Sequence, residues 1–285
     1  MEWGKFRRSN NVEDYRGTGG GRRMAGGLGI GGVMVALVAS LLFGVNPAVI
    51  LGGLEGMSGG TVQNGAPREQ LPNDETTNFV RAVLGDTEDT WGAIFQKAGR
   101  EYTPARLVLF EGSIGTACGT GSSAVGPFYC PNDKRVYLDT SFFRELSTRF
   151  GADGEFARAY VLAHEVGHHV QNELGILGKV DAQRRRSDKR TANALSVRLE
   201  LQADCLAGVW GHFTKQRNLI NNADIASAIT AAEAIGDDAL QRRSQGRVVP
   251  DSFTHGSSEQ RVRWFQTGLR TGDVNSCDTF NANGI

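Results

Sequence analysis

The sequence carries no net charge and no CxxC pair, and these two absences argue against a nucleic-acid partner and against a cysteine zinc site. Its 285 residues include 31 basic and 31 acidic side chains, so the charge gives no sign of a nucleic-acid partner. Cysteine zinc sites use closely spaced cysteine pairs, and the 4 cysteines form none. Histidine is scarce, with 5 in the chain, and no internal repeat is visible. The length allows one large domain or two small ones.

Charge is also absent from one long stretch, between residues 24 and 54. The apolar segment 24–45 is long enough, as a helix, to cross a bilayer core of about 30 Å, which predicts a transmembrane helix. A buried core helix and a cleaved signal peptide are the alternatives. A core helix of this length usually has a polar face, and a signal peptide usually has a shorter charged leader.

The residues on either side of this segment determine the predicted topology. Residues 1–23 carry six basic and three acidic side chains, so the positive-inside rule places them in the cytoplasm as a basic tail. Residues 46–72 are rich in Gly, Pro, Asn and Gln, which predicts a flexible linker. We therefore expect a single-pass protein of the inner (plasma) membrane. Its main domain, residues 73–285, would face the periplasm or exterior.

The main domain has the pattern of an α+β fold, a small sheet followed by helices. Apolar spacing predicts two helices over 73–99, with Gly85 and Asp86 as the break between them. Arg106–Phe110 and Arg135–Asp139 are rich in β-branched and aromatic residues and are predicted strands. Further helices are predicted from Asp153 to about Leu174, over 187–216, near 223–240 and over 258–269, with a charged loop at 181–190.

Three of the histidines stand together in the segment AYVLAHEVGHHVQ. Residues four apart lie on one face of a helix, so His164 and His168 can direct both imidazoles at one metal ion, with Glu165 beside them. This HExxH arrangement is typical of zinc peptidases, in which the glutamate is the general base toward a zinc-bound water. His169 lies about 140° from His164 around the helix, so we expect it to pack and not to bind the metal.

A catalytic zinc site needs a third protein ligand and one open position. The extended HExxHxxGxxH pattern is excluded, because the chain has Gln and Leu where that pattern requires Gly and His. A glutamate from a later helix is the other solution. Glu200 is favoured over Glu173 and Glu233 because it lies in the apolar segment LELQADCLAG. Asp204, one turn further, can accept the second N–H of a ligand histidine and fix its tautomer.

With these motifs the chain resembles the bacterial neutral zinc metallopeptidase family, within the broad gluzincin group. The matching stretches are MEWGKFRRSNNVEDYRG, GPFYCPNDKRVYLD, AYVLAHEVGHHVQ, LELQADCLAGVW and SFTHGSSEQRVRWFQTG, which span nearly the whole chain. The resemblance implies a mainly helical, zincin-like domain with a small sheet that binds one Zn²⁺. It implies zinc ligands at His164, His168 and Glu200. It also implies that Glu165 is catalytic and that Asp204, the aspartate of the downstream ExxxD motif, serves the zinc site, but it supplies no substrate.

Three functions are compatible with these residues. We expect a membrane-anchored zinc peptidase that hydrolyses a peptide or protein substrate, held in extended form by strand Arg135–Asp139 or the loop before it. Another zinc-dependent amide hydrolase, for example one acting on cell-wall peptides, would use the same chemistry. A non-catalytic envelope-binding protein would use zinc only to hold its helices. The intact Glu165 argues against that third function, because a structural site needs ligands but no base.

His255, in the stretch SFTHGSSEQ, is predicted to lie on a loop before the last helix. There it can donate to the oxyanion that develops on the attacked carbonyl. The alternative is a histidine that caps or packs this helix, at whose start Ser257 and Gln260 have the spacing of a capping box. His212 is the other candidate donor, but it lies about 18 Å along the helix from Glu200.

The four cysteines allow three disulfide connectivities, with buried free thiols as the alternative. In an exported domain we expect Cys118 to pair with Cys130, which closes a short loop rich in Gly and Ser. Cys205 would then pair with Cys277 and tie the C-terminal segment to the predicted helix that carries Glu200. Each bridge would stabilise the fold by about 2–4 kcal/mol.

Overall fold

The computed structural model describes residues 1–18, 65–283 and 285. Its strands are β1 (Val12–Asp14), β2 (Arg106–Phe110), β3 (Ser113–Thr116), β4 (Gly119–Ser122), β5 (Phe128–Cys130) and β6 (Arg135–Asp139). One sheet has the order β1-β2-β6-β5, in which β1, β2 and β6 are parallel and β5 is antiparallel to β6. Strands β3 and β4 form a separate antiparallel hairpin.

Helices make up most of the described residues. They are α1 (Glu75–Lys97), α2 (Ser141–Thr148), α3 (Glu155–Glu173), α4 (Ile176–Arg184), α5 (Lys189–Gln216), α6 (Asn222–Ala234), α7 (Asp237–Gln245) and α8 (Ser258–Thr271). Helix α3 packs against α5, α6 and α1, and α8 packs along α5. A small sheet with mainly helical packing agrees with the predicted α+β domain.

The two longer strands separate two apolar layers. Side chains alternate between the faces of a strand, so Leu107 and Leu109 of β2 join the main core with the helices, while Val108 points to the opposite face. Strand β6 repeats the pattern, with Val136 in the main core and Tyr137 on the other side. That second face contains Ile114 of the hairpin. Both strands were predicted, because four of the five residues of β2 and three of the five of β6 are apolar or β-branched.

The predicted break at Gly85 and Asp86 is wrong, because α1 continues through both residues. A Cβ at Gly85 would lie 2.5 Å from the carbonyl oxygen of Arg7, so the glycine allows the N-terminal segment to approach the helix. Asp86 is not a cap. Its buried carboxylate accepts from Nε1 of Trp210 at 2.8 Å and from the guanidinium of Arg217 at 2.6 and 2.9 Å.

Residues 1–18, expected as part of a separate tail, belong to the same fold as the helices. Strand β1 pairs in parallel register with β2, with Val12 opposite Leu107. The guanidinium of Arg16 binds Asp14 and the Thr77 hydroxyl at the start of α1.

The membrane prediction is corrected by these findings. Within residues 1–18, 65–283 and 285, no helix is both long and apolar enough to cross a bilayer. The segment predicted to span, 24–45, lies outside the described residues, as does most of the predicted linker. Since β1 pairs with β2, the N-terminal segment and the main domain lie on the same side of any membrane. A cytoplasmic N-terminus with an outward-facing domain, the single-pass arrangement, is therefore wrong.

Several element boundaries also differ from the prediction. The charged stretch 181–190 is partly helical, since α4 continues to Arg184 and α5 begins after Asp188, whose side chain accepts from the Thr191 amide. Glycine 154, and not Asp153, precedes α3. The hairpin and β5 occupy the stretch expected as a loop between the two predicted strands. The capping box of Ser257 with Gln260 is confirmed at the start of α8.

Both predicted disulfides are present. Cys118 is bonded to Cys130 and so fastens the hairpin to the end of β5. Cys205 is bonded to Cys277, which attaches the C-terminal segment to α5. The described residues therefore contain no free cysteine.

Candidate metal centre

The close crossing of α3 and α5 creates the site. Gly167, between the two histidines of HExxH, faces the backbone of Ala203, and a Cβ at this glycine would lie 2.9 Å from the Ala203 carbonyl oxygen. Real Cβ atoms essentially never approach so closely, so only glycine permits this distance between the helices. The crossing brings Glu200 of α5 opposite the histidines of α3.

His164, His168 and Glu200 offer ligand atoms that all lie within 4.8 Å of one another. Nε2 of His164 is 3.1 Å from Oε2 of Glu200, and Nε2 of His168 is 3.5 Å from Oε1 of the same carboxylate. The side chains of all three are largely buried, with between 8 and 18% exposed. These are the three residues that the sequence predicted as ligands, and the fold brings them together, while their binding of a metal stays a prediction.

The donor set fits a zinc ion in both chemistry and spacing. Two imidazole nitrogens and one carboxylate are the ligands of one common class of catalytic zinc site, which keeps a fourth position open. Ligand atoms bound tetrahedrally at about 2.1 Å lie about 3.4 Å apart. The two nitrogen–oxygen distances, 3.1 and 3.5 Å, lie on either side of that value. Only small movements would be needed to surround one ion.

Asp204 supports His164 from behind. Its Oδ1 lies 2.8 Å from Nδ1 of His164, which leaves Nε2 toward Glu200. The carboxylate is fully buried and also accepts from the Tyr160 hydroxyl at 2.5 Å and from Nε and Nη2 of Arg261 at 2.9 and 3.0 Å. Arg261 of α8 thus supplies the counter-charge that allows a carboxylate to be buried beside the ligand.

The charges of the site favour the protonated form of His164 and His168 when no metal is bound. Burial alone would lower the pKa of His164, but the Asp204 carboxylate outweighs it and raises that pKa to about 10. Burial would also lower the pKa of His168, but the Glu200 carboxylate outweighs burial and raises that pKa. Burial would raise the pKa of Glu200, but the histidines hold it well below its usual range. A metal cation would therefore replace protons at this site.

Glu165 has a different environment from Glu200. Its side chain is buried, and this burial raises its pKa, an effect that the charges of His164 and His168 partly oppose. A general base works best when its pKa lies near the working pH. Burial therefore shifts the pKa of Glu165 in the direction that the predicted base requires, while its catalytic role stays a prediction.

His255 lies on the loop before α8, with its side chain half exposed. The buried carboxylate of Asp237 accepts from the backbone amides of Thr254, His255 and Gly256 at 2.7, 2.6 and 3.0 Å and faces Nδ1 of His255 at 3.3 Å. Partial desolvation would lower the pKa of His255, but Asp237 raises it to about 9 and Glu200 adds to the increase. The ring therefore lies within electrostatic reach of the ligand set, and its oxyanion role stays a prediction.

The other candidates lie apart from the metal group. His169 is buried, with Nε2 2.6 Å from the Thr103 carbonyl oxygen and Nδ1 3.0 Å from the Tyr129 hydroxyl, so it packs as predicted. His212 contacts the carbonyl oxygen of Leu269. Glu173 forms an ion pair with Lys134, and Glu233 is exposed; neither belongs to the metal group.

Sequence reasoning missed four residues that support this site. They are Tyr160, Gln171, Asp237 and Arg261. Helical spacing could have indicated two of them, because Tyr160 precedes His164 by four residues and Gln171 follows His168 by three. Asp237 and Arg261 have no such signal, since each acts on a residue from another element.

Comparison with protein families matches residues 1–280 to the family described as "Putative neutral zinc metallopeptidase". The chain belongs to this family. Relatives include "Uncharacterized protein YpfJ" of Escherichia coli K12, 48% identical over 286 residues that cover 98% of this chain and 99% of the relative. "Uncharacterized protein Rv2575" of Mycobacterium tuberculosis H37Rv is 44% identical over 255 residues, or 85% of each chain. No solved structure matches the chain significantly.

Membership of this zinc metallopeptidase family agrees with the donor set. The family match suggests zinc, and His164, His168 and Glu200 form a group that could hold a metal ion. The match begins at residue 1, so the N-terminal segment that pairs with the sheet belongs to the matched region. The relatives carry no named activity or substrate, and chemistry beyond the family assignment must be argued from the site.

Proposed function

We propose that the protein is a zinc-dependent peptidase that hydrolyses peptide bonds of a peptide or protein substrate, with one zinc ion per domain held by His164, His168 and Glu200. The observation that carries the proposal is the buried Glu165 beside this donor set. A structural zinc site has no use for a buried carboxylate with a raised pKa, whereas a hydrolytic site needs one as base.

Each side chain then has a definable task. A bound zinc ion would acidify a water molecule and polarise the scissile carbonyl. Glu165 accepts the proton of the attacking water and can later deliver it to the leaving amine. His255, held by Asp237, donates an N–H to the oxygen that becomes negative as the carbonyl is attacked. Asp204 keeps the His164 ring in the tautomer and orientation that expose Nε2.

The substrate is proposed to bind as an extended strand along β5. The sequence suggested Arg135–Asp139 or the preceding stretch. Strand β6 is paired on both sides, with β2 and β5, so its backbone groups are already used. β5 stands at the edge of the sheet and packs against α3, the helix that carries HExxH. An edge strand offers unpaired N–H and C=O groups to an extended peptide.

Turnover of a peptide library by the purified full chain tests the proposal, with zinc content measured on the same sample. Glu165→Gln keeps the size of the side chain and removes the proton acceptor. We expect one zinc per chain to remain bound while turnover falls by roughly a hundredfold or more. Equal turnover in the variant would exclude Glu165 as the base. Zinc binding without any peptide cleavage by the unaltered chain would favour a binding function instead.

A further inference from the structure

His168 uses its two ring nitrogens in different directions. Nε2 faces the Glu200 carboxylate at 3.5 Å, while Nδ1 lies 2.9 Å from Oε1 of Gln171, three residues further along α3. The Gln171 side chain is fully buried. An amide oxygen can only accept, so Nδ1 of the neutral His168 ring must carry the proton. Nε2 is then the nitrogen that is available to a metal.

A second contact fixes the orientation of the Gln171 amide. Its Nε2 lies 2.7 Å from the carbonyl oxygen of Leu199, which can only accept. If the amide were turned around, its oxygen would face the Leu199 carbonyl oxygen, and two acceptors would lie in contact. The surroundings therefore permit one orientation, with the amide oxygen toward the ligand histidine.

Gln171 also joins the two helices that carry the ligands. Leu199 immediately precedes Glu200 on α5, so one side chain contacts both the ring of one ligand and the backbone next to another. The position of His168 on α3 is thereby linked to that of Glu200 on α5. Asp204, in contrast, contacts His164 alone among the three ligands.

The Gln171 amide is held in turn by a second glutamine. Nε2 of Gln171 lies 3.1 Å from Oε1 of Gln202, and Nε2 of Gln202 donates to the carbonyl oxygen of Cys277 at 2.9 Å. Cys277 is fixed to α5 by its disulfide with Cys205. A continuous series of hydrogen bonds thus runs from the ligand imidazole to a covalently anchored backbone.

The two ligand histidines have partners of different charge. The Asp204 carboxylate that supports His164 is balanced by Arg261. Gln171 and Gln202 bond only neutral amides and carbonyls, apart from the His168 ring. A carboxylate at position 171 would place an oxygen opposite the Leu199 carbonyl oxygen, and neither atom can donate, so a buried charged oxygen would lack a hydrogen bond there. The amide provides the acceptor that His168 needs without adding a charge.

We propose that Gln171 is the positioning residue of His168, that it fixes the tautomer and ring orientation for zinc binding, and that Gln202 acts through it. The inference rests on the proposed zinc function of His164, His168 and Glu200. Its test measures metal binding and not peptide hydrolysis. Hydrogen-bond partners of ligand histidines are typically worth about 10–100-fold in metal affinity.

The first experiment compares two buried glutamines in the full chain. Gln171→Leu removes the acceptor and keeps a side chain of similar volume. We expect zinc affinity, measured by competition with a chromogenic chelator, to fall about 10–100-fold. We also expect the visible spectrum of the Co²⁺-loaded chain to change. Gln241→Leu is the matched control, because Gln241 is buried and bonds Ser252 and the Val249 amide. Affinity and spectrum of the control should stay unchanged.

The second experiment tests the order of the series. Gln202→Leu should weaken zinc binding less than Gln171→Leu, and the double variant should match Gln171→Leu, because Gln202 contacts His168 through the Gln171 amide. Gln171→Glu keeps an acceptor for His168 and should retain the Co²⁺ spectrum of the unaltered chain even if it melts earlier.

Three results would overturn the inference. They are unchanged affinity in Gln171→Leu, additive losses in the double variant, and a Gln171→Glu spectrum like that of Gln171→Leu. If the unaltered chain binds no zinc, the proposed function fails together with the inference, and this result is visible before any variant is compared.

Discussion

Replacing Asp204 by asparagine should affect both the stability of the fold and the affinity for zinc. The substitution keeps the shape of the side chain and removes its charge. The new NH₂ group must take the place of one of the two carboxylate oxygens. At the place of Oδ2 it would face Nε of Arg261. At the place of Oδ1 it would face three donors, from Tyr160, His164 and Arg261. If the amide oxygen stays at Oδ1, His164 keeps a weaker, neutral acceptor. Arg261, whose side chain is 4% exposed, then loses its counter-charge.

The expected loss of stability follows from leaving the buried Arg261 guanidinium without its carboxylate partner. Removing one partner of a buried ion pair costs about 3–5 kcal/mol. For a chain of this size, 1 kcal/mol corresponds to about 2–4 °C in Tm, so the metal-free variant should melt about 10 °C below the unaltered chain. Zinc affinity should fall about tenfold or more, because a neutral amide polarises the His164 ring less than a carboxylate does.

A double variant separates the two effects. Asp204→Asn combined with Arg261→Met removes the stranded cation, so thermal unfolding followed by circular dichroism should show much of the Tm restored. Chelator competition should show zinc affinity still reduced, because the carboxylate beside His164 is still missing. An unchanged Tm in Asp204→Asn, or recovery of zinc affinity along with Tm in the double variant, would refute this reasoning.

Four further predictions concern the same site. Zinc binding at pH 7 should release more than one proton, because the pKa of His164 lies near 10 and that of His168 is raised in the metal-free protein. Calorimetry in buffers of different ionisation enthalpy measures the number of protons released. Release of less than one proton would contradict this prediction. Because the pKa of His164 is higher in the fold than in the unfolded chain, its charged ring stabilises the metal-free fold. This contribution is complete below about pH 6.5 and is lost as the pH rises toward 10. His255→Ala should lower turnover about 10²-fold with zinc content and Tm nearly unchanged, whereas early melting with retained specific activity would show a purely structural role. Gly167→Ala should weaken zinc binding, because its methyl group would lie 2.9 Å from the Ala203 carbonyl oxygen. Gly178→Ala, with open space around its Cβ, should bind zinc normally. Equal zinc affinities of the two variants would contradict the role of the helix crossing.

The parts of the site that could be predicted from sequence depend on short-range spacing. His164 and His168 are four apart on one helix, and Glu200 and Asp204 repeat that spacing on another, so each pair can be recognised without knowing the tertiary fold. Arg261 could not be found in this way. Its ion pair with Asp204 spans 57 residues, and a single arginine in an amphipathic helix has the pattern of a solvated side chain.

The fold shows the same division between local and distant contacts. Strands β2 and β6 and most helices follow from periodicity, whereas β1 depends on pairing with a strand more than 90 residues further on. Without that partner, the N-terminal segment has only the composition of a basic tail. Gly85 illustrates the consequence for a single residue. In sequence it indicates a helix break, while in the fold it is the point where Arg7 crosses an uninterrupted helix.

The position of the bound metal tests the central claim most directly. Anomalous diffraction at the zinc edge from crystals of the full chain, with zinc content measured on the same preparation, should show one ion within bonding distance of His164, His168 and Glu200. Glu200→Ala should lose this ion because it removes one of the three ligands. A zinc ion bound elsewhere, or full occupancy in Glu200→Ala, would contradict the account.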